Sequence, residues 1–309
     1  AVVPLFSLIV LGFLAGKRRW IEEPGVKALV GFIFNIAMPA LLFRLVVVSD
    51  VTELINARFL LCHFSVQAAV AMLGVLLGRA FFQLAPQNLV IQGFGSSFPN
   101  TVLLGIPLML ALYGERGAVP VIMIFAFNVA LYSIVTMLLE VAGRRAERVD
   151  PLALIKTTSR AIASNPIILA AVAGMIVGGS GFGLAPVLDR SLSFIGQAGP
   201  PIALFALGAS LSVREMAKGL HGPLGAAGLM TSCKLLLHPA LAWIMAVPVL
   251  GLDPFLAAAA VIVAALPVGA NVYIFAQHYD VAVLEASSAV LISTGISMIT
   301  IPVLLWFLV

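Results

Sequence analysis

The stretch SSFPNTVLLGIPLMLALYG, residues 96–114, combines an apolar character with residues that break helices. Pro99, Gly105 and Pro107 interrupt it, and Asn100 adds an amide. Proline removes a backbone donor and clashes with the preceding turn. In hydrocarbon, broken backbone is tolerated only where protein or water surrounds it. The rest of the chain decides whether this stretch lies in a membrane.

The composition of the whole chain is that of an integral membrane protein. Of its 309 residues, 62% are hydrophobic and only 10% are charged, and the mean hydropathy is +1.15. Soluble domains carry about 25% charged residues. Apolar segments recur at about the 20 residues that a spanning helix needs. None shows the short alternating pattern of a transmembrane β-barrel.

We predict ten hydrophobic segments, numbered 1 to 10 in chain order. They cover residues 2–16, 26–48, 58–82, 89–112, 118–141, 165–184, 190–212, 223–250, 254–277 and 282–308. A polar linker, residues 143–164, separates a first half, 1–142, from a second half, 165–309, with five segments in each. No cleavable signal is visible. Segment 1 is short, and the sequence leaves open whether the native N-terminus has been trimmed.

Lysine and arginine residues predict the orientation, because cytoplasmic loops carry an excess of them. If the N-terminus is outside, cytoplasmic loops hold twelve of the seventeen such residues and outer loops hold four. We therefore predict a multi-pass protein of the inner or plasma membrane. Both termini would lie outside, and the linker 143–164 would be cytoplasmic.

Five segments in each half predict an inverted repeat, since a second copy of an odd number of spans enters the membrane upside down. Segment 2 contains NIAMPALLF, residues 35–43, and segment 7 contains QAGPPIALF, residues 197–205. Both read amide, three residues, proline, two residues and Leu-Phe. The sequence therefore predicts an all-α integral membrane fold of ten transmembrane helices in two inverted five-helix repeats.

Segments 4 and 9 form a second matching pair. SSFPNTVLLG in segment 4 and AALPVGANVYIF in segment 9 both place two small residues and a larger one before proline, at Pro99 and Pro267. An asparagine follows each proline, at Asn100 and Asn271. Interrupted segments at corresponding places in two halves indicate a transporter binding site. We therefore predict that helices 4 and 9 are broken and meet at this site.

The pattern favours an anionic substrate. A helix that begins at mid-membrane presents free N–H groups and a positive dipole end. No acidic residue lies in the middle of segments 2, 4, 7 or 9 to hold a cation by charge. We therefore expect a small organic anion as the substrate.

At these residues the chain resembles the auxin efflux carrier family, as a bacterial-type member within the superfamily of bile acid, arsenite and riboflavin transporters. The resemblance covers nearly the whole chain. Its motifs are FPNTVLLGIPLMLALYG, ALPVGANVYIFAQHYD, NIAMPALLF and LFALGASLS. It implies that helices 4 and 9 cross at the substrate. It also implies a homodimer. Within each chain it implies a scaffold domain of helices 1, 2, 6 and 7 and a transport domain of helices 3–5 and 8–10. The transport domain would move against the scaffold domain in an elevator-type mechanism.

The resemblance places the asparagine of segment 4 and the amide of segment 7, here Asn100 and Gln197, near the substrate. Asn271 stands where plant members carry a second proline, which suggests a more polar substrate than an aromatic acid. We expect the substrate to face Asn100, Thr101, Gln197, Asn271 and Asn35. We expect the crossover to be shaped by Pro99, Gly105, Pro107, Pro267 and Gly269.

Lys234 is the clearest ionisable residue within a segment, and such residues are rare, costly and functional. The alternative is that its side chain snorkels to the cytoplasmic interface. His238 follows one turn later on the same face, and segment 3 carries His63 and Gln67 at the same spacing. Histidine titrates near physiological pH. These four residues are our candidates for charge balance or proton coupling.

Three functions remain open from the sequence. The first is a secondary active transporter of a mono- or dicarboxylate, auxin-like or malonate-like. The second is a sodium-coupled symporter of the bile-acid type, against which the scarcity of mid-segment Asp and Glu argues. The third is a membrane solute sensor without net transport.

Other classes of function lack support in the sequence. It contains no HExxH, P-loop or GxSxG motif, so we expect no enzyme. No zinc-type cysteine spacing appears, and we expect no metal and no cofactor. The net charge of +4 is small, and we expect no nucleic-acid partner.

Overall fold

The computed structural model describes residues 3–48, 56–143, 159–160, 163–181, 183–212 and 224–308. In this part of the chain every one of the ten predicted segments contains helix, and we number the helices accordingly. They are α1 Val3–Lys17, α2 Glu23–Val48, α3 Ala57–Phe82, α4a Pro86–Ser97, α4b Thr101–Tyr113, α5 Glu115–Ala142, α6 Pro166–Gly179, α7 Pro186–Ser212, α8 Leu224–Val249, α9a Pro254–Ala265, α9b Ala270–Tyr279 and α10 Val283–Leu308.

Six of the helices in the described ranges are long and apolar enough to cross a membrane: α2, α3, α5, α7, α8 and α10. Helices α1, α4b, α6 and α9a are shorter and apolar. The structure therefore shows an all-helical chain with several membrane-spanning candidates. Ten complete spans and the inverted repeat stay predictions. Most of the linker 143–164 lies outside the described residues. The basic residues Arg214 and Lys218 also lie outside them.

Contacts divide the chain into two compact units. The first unit comprises Ala1–Asn56, Val102–Val129 and Ile155–Val213. The second unit comprises Ala57–Thr101, Ala130–Leu154 and Arg214–Val309. Helices α1, α2, α6 and α7 thus belong to the first unit, and α3, α8, α9a, α9b and α10 belong to the second. Helices α4 and α5 are divided between them.

Glycines allow the backbones of α1 and α7 in the first unit to come into direct contact. A Cβ added at Gly208 of α7 would lie 1.9 Å from the carbonyl oxygen of Ile9. A Cβ at Gly12 of α1 would lie 2.0 Å from the carbonyl oxygen of Phe205. Because lipid gives no hydrophobic drive between helices, close contact between small residues is what holds such a pair together.

An ion network ties three helices of the first unit together. Arg44 of α2 donates from Nε to Asp189 Oδ1 of α7 at 2.7 Å, and it also pairs with Glu115 at the start of α5. The Arg44 side chain is only 16% exposed. A shared, partly buried arginine contributes more than the near-zero energy typical of an isolated surface pair.

The second unit is built on a close contact between α3 and α4a. A Cβ at Gly93 would lie 2.9 Å from the carbonyl oxygen of Ala71, and one at Gly74 would lie 2.4 Å from Ser96 Oγ. Buried residues of α3, α8 and α9a form a hydrophobic cluster beside it: Val66, Val70, Cys233, Ala242, Val261 and Ala264. This packing holds α9a beside α3 and α8.

We expect Gly208→Ala to lower the apparent Tm of the purified protein in detergent, because the added methyl group forces α1 and α7 apart. Overpacking of this kind costs about 1–3 kcal/mol. Gly228→Ala in α8 is the matched control, since a Cβ there meets nothing within 4 Å. Equal melting temperatures for the two variants would contradict the described α1–α7 contact.

Candidate functional site

The two broken helices are interrupted immediately before a proline. Helix α4a ends at Ser97, and Phe98 is extended, with φ −84° and ψ 115°. Helix α9a ends at Ala265, and Leu266 is extended, with φ −58° and ψ 149°. The ring of a following proline disfavours the helical conformation of the residue before it. Pro99 and Pro267 therefore account for both breaks.

The two extended segments pair with each other inside the second unit. The Asn100 N–H donates to the Pro267 carbonyl oxygen at 3.0 Å, and the Gly269 N–H donates to the Phe98 carbonyl oxygen at 2.9 Å. The pairing is an antiparallel bridge. We call residues 98–100 with residues 266–269 the crossover. Its reciprocal bonds satisfy backbone groups that a helix would otherwise pair.

Close approach within the crossover requires glycine at position 269. A Cβ there would lie 2.6 Å from Phe98 Cδ1 and 3.0 Å from the Pro99 carbonyl oxygen. Next to it, the Val268 N–H donates to Ser293 Oγ of α10 at 3.0 Å. The crossover is thereby anchored to a third helix.

Three of the five predicted substrate-facing residues lie in the crossover or directly beside it. Asn100 is 5% exposed, and its Nδ2 has no hydrogen-bond partner within the described part of the chain. Thr101 is buried where α4b begins, and Asn271 lies half-buried in the first turn of α9b. Two asparagines thus flank the crossover, and the amide donor of Asn100 has no protein acceptor.

Asn271 Nδ2 donates to the hydroxyl of Tyr132, in the second half of α5. The Tyr132 ring belongs to an aromatic cluster around the crossover, with centroids 5.5 Å from Phe98 and 5.6 Å from Phe275. Tyr132 was not among the residues predicted from the sequence. Nothing distinguished it from the other polar residues of α5, such as Asn128 and Ser133, and its partner lies 139 positions away.

Asn35 and Gln197 belong to the first unit, and both are exposed. Asn35 Nδ2 donates to the Gly31 carbonyl oxygen at 2.9 Å, and Gln197 Nε2 donates to Ser193 Oγ at 2.7 Å. Each amide therefore bonds within its own helix. Their predicted contact with substrate stays a prediction.

Three of the four widened helical turns in the described ranges coincide with predicted site residues, whereas Met245–Val249 does not. These three π-helical turns are Ile33–Ala37, Thr101–Gly105 and Cys233–Leu237. Each ends two residues before a proline, at Pro39, Pro107 and Pro239. Proline clashes with the carbonyl one turn earlier, and a widened turn relieves that clash. Single π turns occur frequently at functional sites, and these three contain Asn35, Thr101 with Gly105, and Lys234.

Lys234 is fully buried, so its side chain does not snorkel to an interface. Its Nζ donates to the carbonyl oxygen of Ala264, in the last turn of α9a. The last four carbonyls of a helix lack intrahelical partners, and that end carries negative partial charge. Lys234 therefore caps the end of α9a from which the crossover starts.

His238, His63 and Gln67 are the other candidates for charge balance or proton coupling. All three are buried. The two imidazole centroids lie 6.4 Å apart. Five of their polar side-chain atoms have no hydrogen-bond partner in the described ranges. These are His63 Nε2, both ring nitrogens of His238 and both polar atoms of Gln67. A buried group left unsatisfied costs about 1–3 kcal/mol. Packing alone does not account for several such groups in one place.

The family model described as "Membrane transport protein" matches residues 1–305 of the chain. The chain belongs to this family, which includes the auxin efflux carriers. The predicted resemblance is therefore confirmed. Membership in a family of membrane transport proteins also fits the expectation that the chain is not an enzyme.

Several proteins of this family are similar over nearly the whole chain. The "Putative malonate transporter" of Rhizobium meliloti (strain 1021) is 33% identical over 310 residues, which cover 99% of this chain and 94% of that protein. "Auxin efflux carrier component 8" of Arabidopsis thaliana is 24% identical, with 91% and 89% covered. An uncharacterized transporter of Methanocaldococcus jannaschii is 24% identical, with 99% and 97% covered.

A double-mutant cycle tests the bond between Tyr132 and Asn271. We expect Tyr132→Phe and Asn271→Leu each to lower the apparent Tm, and the double variant to lower it by less than the sum. Residues in direct contact couple by about 0.5–3 kcal/mol. The four proteins are compared by thermal unfolding in detergent. Additive shifts would show that the two side chains do not interact.

Proposed function

We propose that the chain is a secondary active transporter of a small organic anion, a mono- or dicarboxylate of the malonate or auxin type, with its site at the crossover. The observation that carries the proposal is the buried Nδ2 of Asn100, which has no acceptor in the described part of the protein. The similarity to a protein named as a malonate transporter supports the choice of a carboxylate.

The chemistry of the crossover suits a carboxylate. Helix α4b begins at Thr101 and helix α9b begins at Ala270, so two helix N-termini lie at the crossover. Free N–H groups and the positive dipole end of a helix attract anions. The Asn100 amide adds a directed donor, and no acidic residue lies in the middle of either broken segment to repel an anion.

We further propose that transport is of the elevator type, with α3–α5 and α8–α10 moving against α1, α2, α6 and α7. The two compact units support this division. One contains α1, α2, α6 and α7, and the other contains α3 and α8–α10. The grouping of α4b and the first part of α5 with the first unit departs from it. The homodimer and the orientation with both termini outside stay predictions.

Lys234 argues against the sodium-coupled alternative. In inverted-repeat transporters, carbonyls at the C-terminal ends of half-helices coordinate sodium ions. Here the Lys234 amino group already donates to such a carbonyl, that of Ala264 in α9a. We propose that this amino group occupies the carbonyl that sodium would need, and that a proton gradient drives transport through the His63 and His238 pair.

We expect Asn100→Ala to abolish uptake of radiolabelled malonate into proteoliposomes while leaving the folded protein as stable as the parent. A hydrogen bond to a charged group contributes about 1.5–3 kcal/mol, so we expect at least tenfold weaker binding. Removing a buried unpaired amide does not destabilise the protein. Asn88→Ala, on α4a and away from the crossover, is the control.

Unaltered uptake by Asn100→Ala would overturn the site. A parent protein whose Tm is raised by malonate, yet which shows no flux in liposomes, would instead identify a solute sensor.

We expect uptake to be unchanged when sodium is replaced by potassium on both sides of the membrane, because the Lys234 side chain occupies the Ala264 carbonyl. Imposing a pH gradient should increase the rate. Uptake that requires sodium would contradict the role assigned to Lys234.

A further inference from the structure

A groove of about 570 Å³ runs along α3 within the second unit, between α3, α4a and the second half of α5. Its volume falls in the range of roughly 300–1,000 Å³ that small-molecule sites occupy. Apart from Arg79, Gln67 and Ser97, all of its lining side chains are apolar or glycine. None of the proposed transport steps uses this groove.

Small residues leave the space of the groove, and exposed apolar residues form its sides. Ala68 lines it from α3, and Gly93 of α4a approaches so closely that a Cβ would lie 2.8 Å from Val75 Cγ2. On the walls, Met72 is 59% exposed and Ile134 is 54% exposed. Both lie on helices long and apolar enough to span a membrane. An apolar surface on such a helix suits hydrocarbon.

One end of the groove is cationic. Arg79 is exposed in the last turn of α3, and it forms no ion pair with any residue that the structure describes. Gln67 lies twelve residues earlier on α3, which is about 18 Å along a helix axis. The groove therefore offers a positive charge near the end of a membrane helix and an apolar channel leading inward from it.

We propose that this groove binds an anionic phospholipid, with one acyl chain along α3 and the phosphate paired with Arg79. A guanidinium matches the geometry of a phosphate and pairs with it through two parallel hydrogen bonds. Basic pockets between membrane helices on the cytoplasmic side bind anionic head groups, and the end of α3 that carries Arg79 is predicted to face the cytoplasm. The proposal does not depend on which substrate the crossover carries.

Native mass spectrometry of the full-length protein in detergent tests the proposal, with phosphatidylglycerol and phosphatidylcholine of identical acyl chains as probes. One basic residue near the membrane surface contributes about 1 kcal/mol, so we expect phosphatidylglycerol to bind about fivefold more tightly. Arg79→Ala should remove that preference. Arg58→Ala, at the other end of α3 and outside the groove, should retain it.

A second pair of variants tests the acyl channel. Ala68→Trp fills the groove and should weaken binding of both lipids, whereas Ala69→Trp, exposed on the same helix but not lining the groove, should leave both unchanged. Ile134→Trp fills the groove from α5 and replaces Ala68→Trp if that variant fails to fold.

Three results would overturn the proposal. The first is equal binding of the two lipids by the parent protein. The second is displacement of phosphatidylglycerol by millimolar inorganic phosphate, which would indicate a free-anion site. The third is displacement of the lipid by malonate, which would indicate that the groove takes the carried substrate. The first two results leave the crossover proposal untouched, whereas displacement by malonate would contradict the crossover proposal as well.

Discussion

The structure depends on two reciprocal hydrogen bonds, from Asn100 N–H to the Pro267 carbonyl and from Gly269 N–H to the Phe98 carbonyl. Backbone that leaves the helix within a membrane must find partners in the protein, because each unsatisfied group costs several kcal/mol in hydrocarbon. The two broken segments provide those partners for each other. The prolines cause the breaks, and glycine at position 269 allows the approach. The pairing holds together the two extended segments that directly precede Thr101 and Ala270.

The crossover and the buried polar residues of the second unit share one physical property. Asn100, His63, His238 and Gln67 keep polar atoms without partners in the described ranges, although burial makes such atoms costly. Proteins retain local conflicts of this kind mainly where function requires them. In the proposed account the crossover uses its free donor to hold a carboxylate, and Lys234 neutralises the carbonyl end of α9a. Lys234 would thus hold the end of α9a from which the crossover starts, while the His63 and His238 pair carries the coupling.

Much of the helical arrangement could be predicted from the sequence, because apolar length and proline position are local properties. The predicted segment 58–82 became Ala57–Phe82, and the breaks before Pro99 and Pro267 follow from a steric rule about neighbouring residues. The partners of side chains could not be predicted in this way. The bond between Tyr132 and Asn271 joins residues far apart in the chain, and the carbonyl that Lys234 caps belongs to another helix. Both depend on how helices pack, which hydrophobic pattern alone does not specify.

The central claim is that the crossover holds the carried anion. The most direct test is a cryo-electron microscopy reconstruction of the protein in lipid nanodiscs with malonate. The account predicts density for the dicarboxylate between the N-termini of α4b and α9b, with one carboxylate oxygen about 3 Å from Asn100 Nδ2. Malonate bound elsewhere, with Asn100 hydrogen-bonded to another protein group, would contradict it.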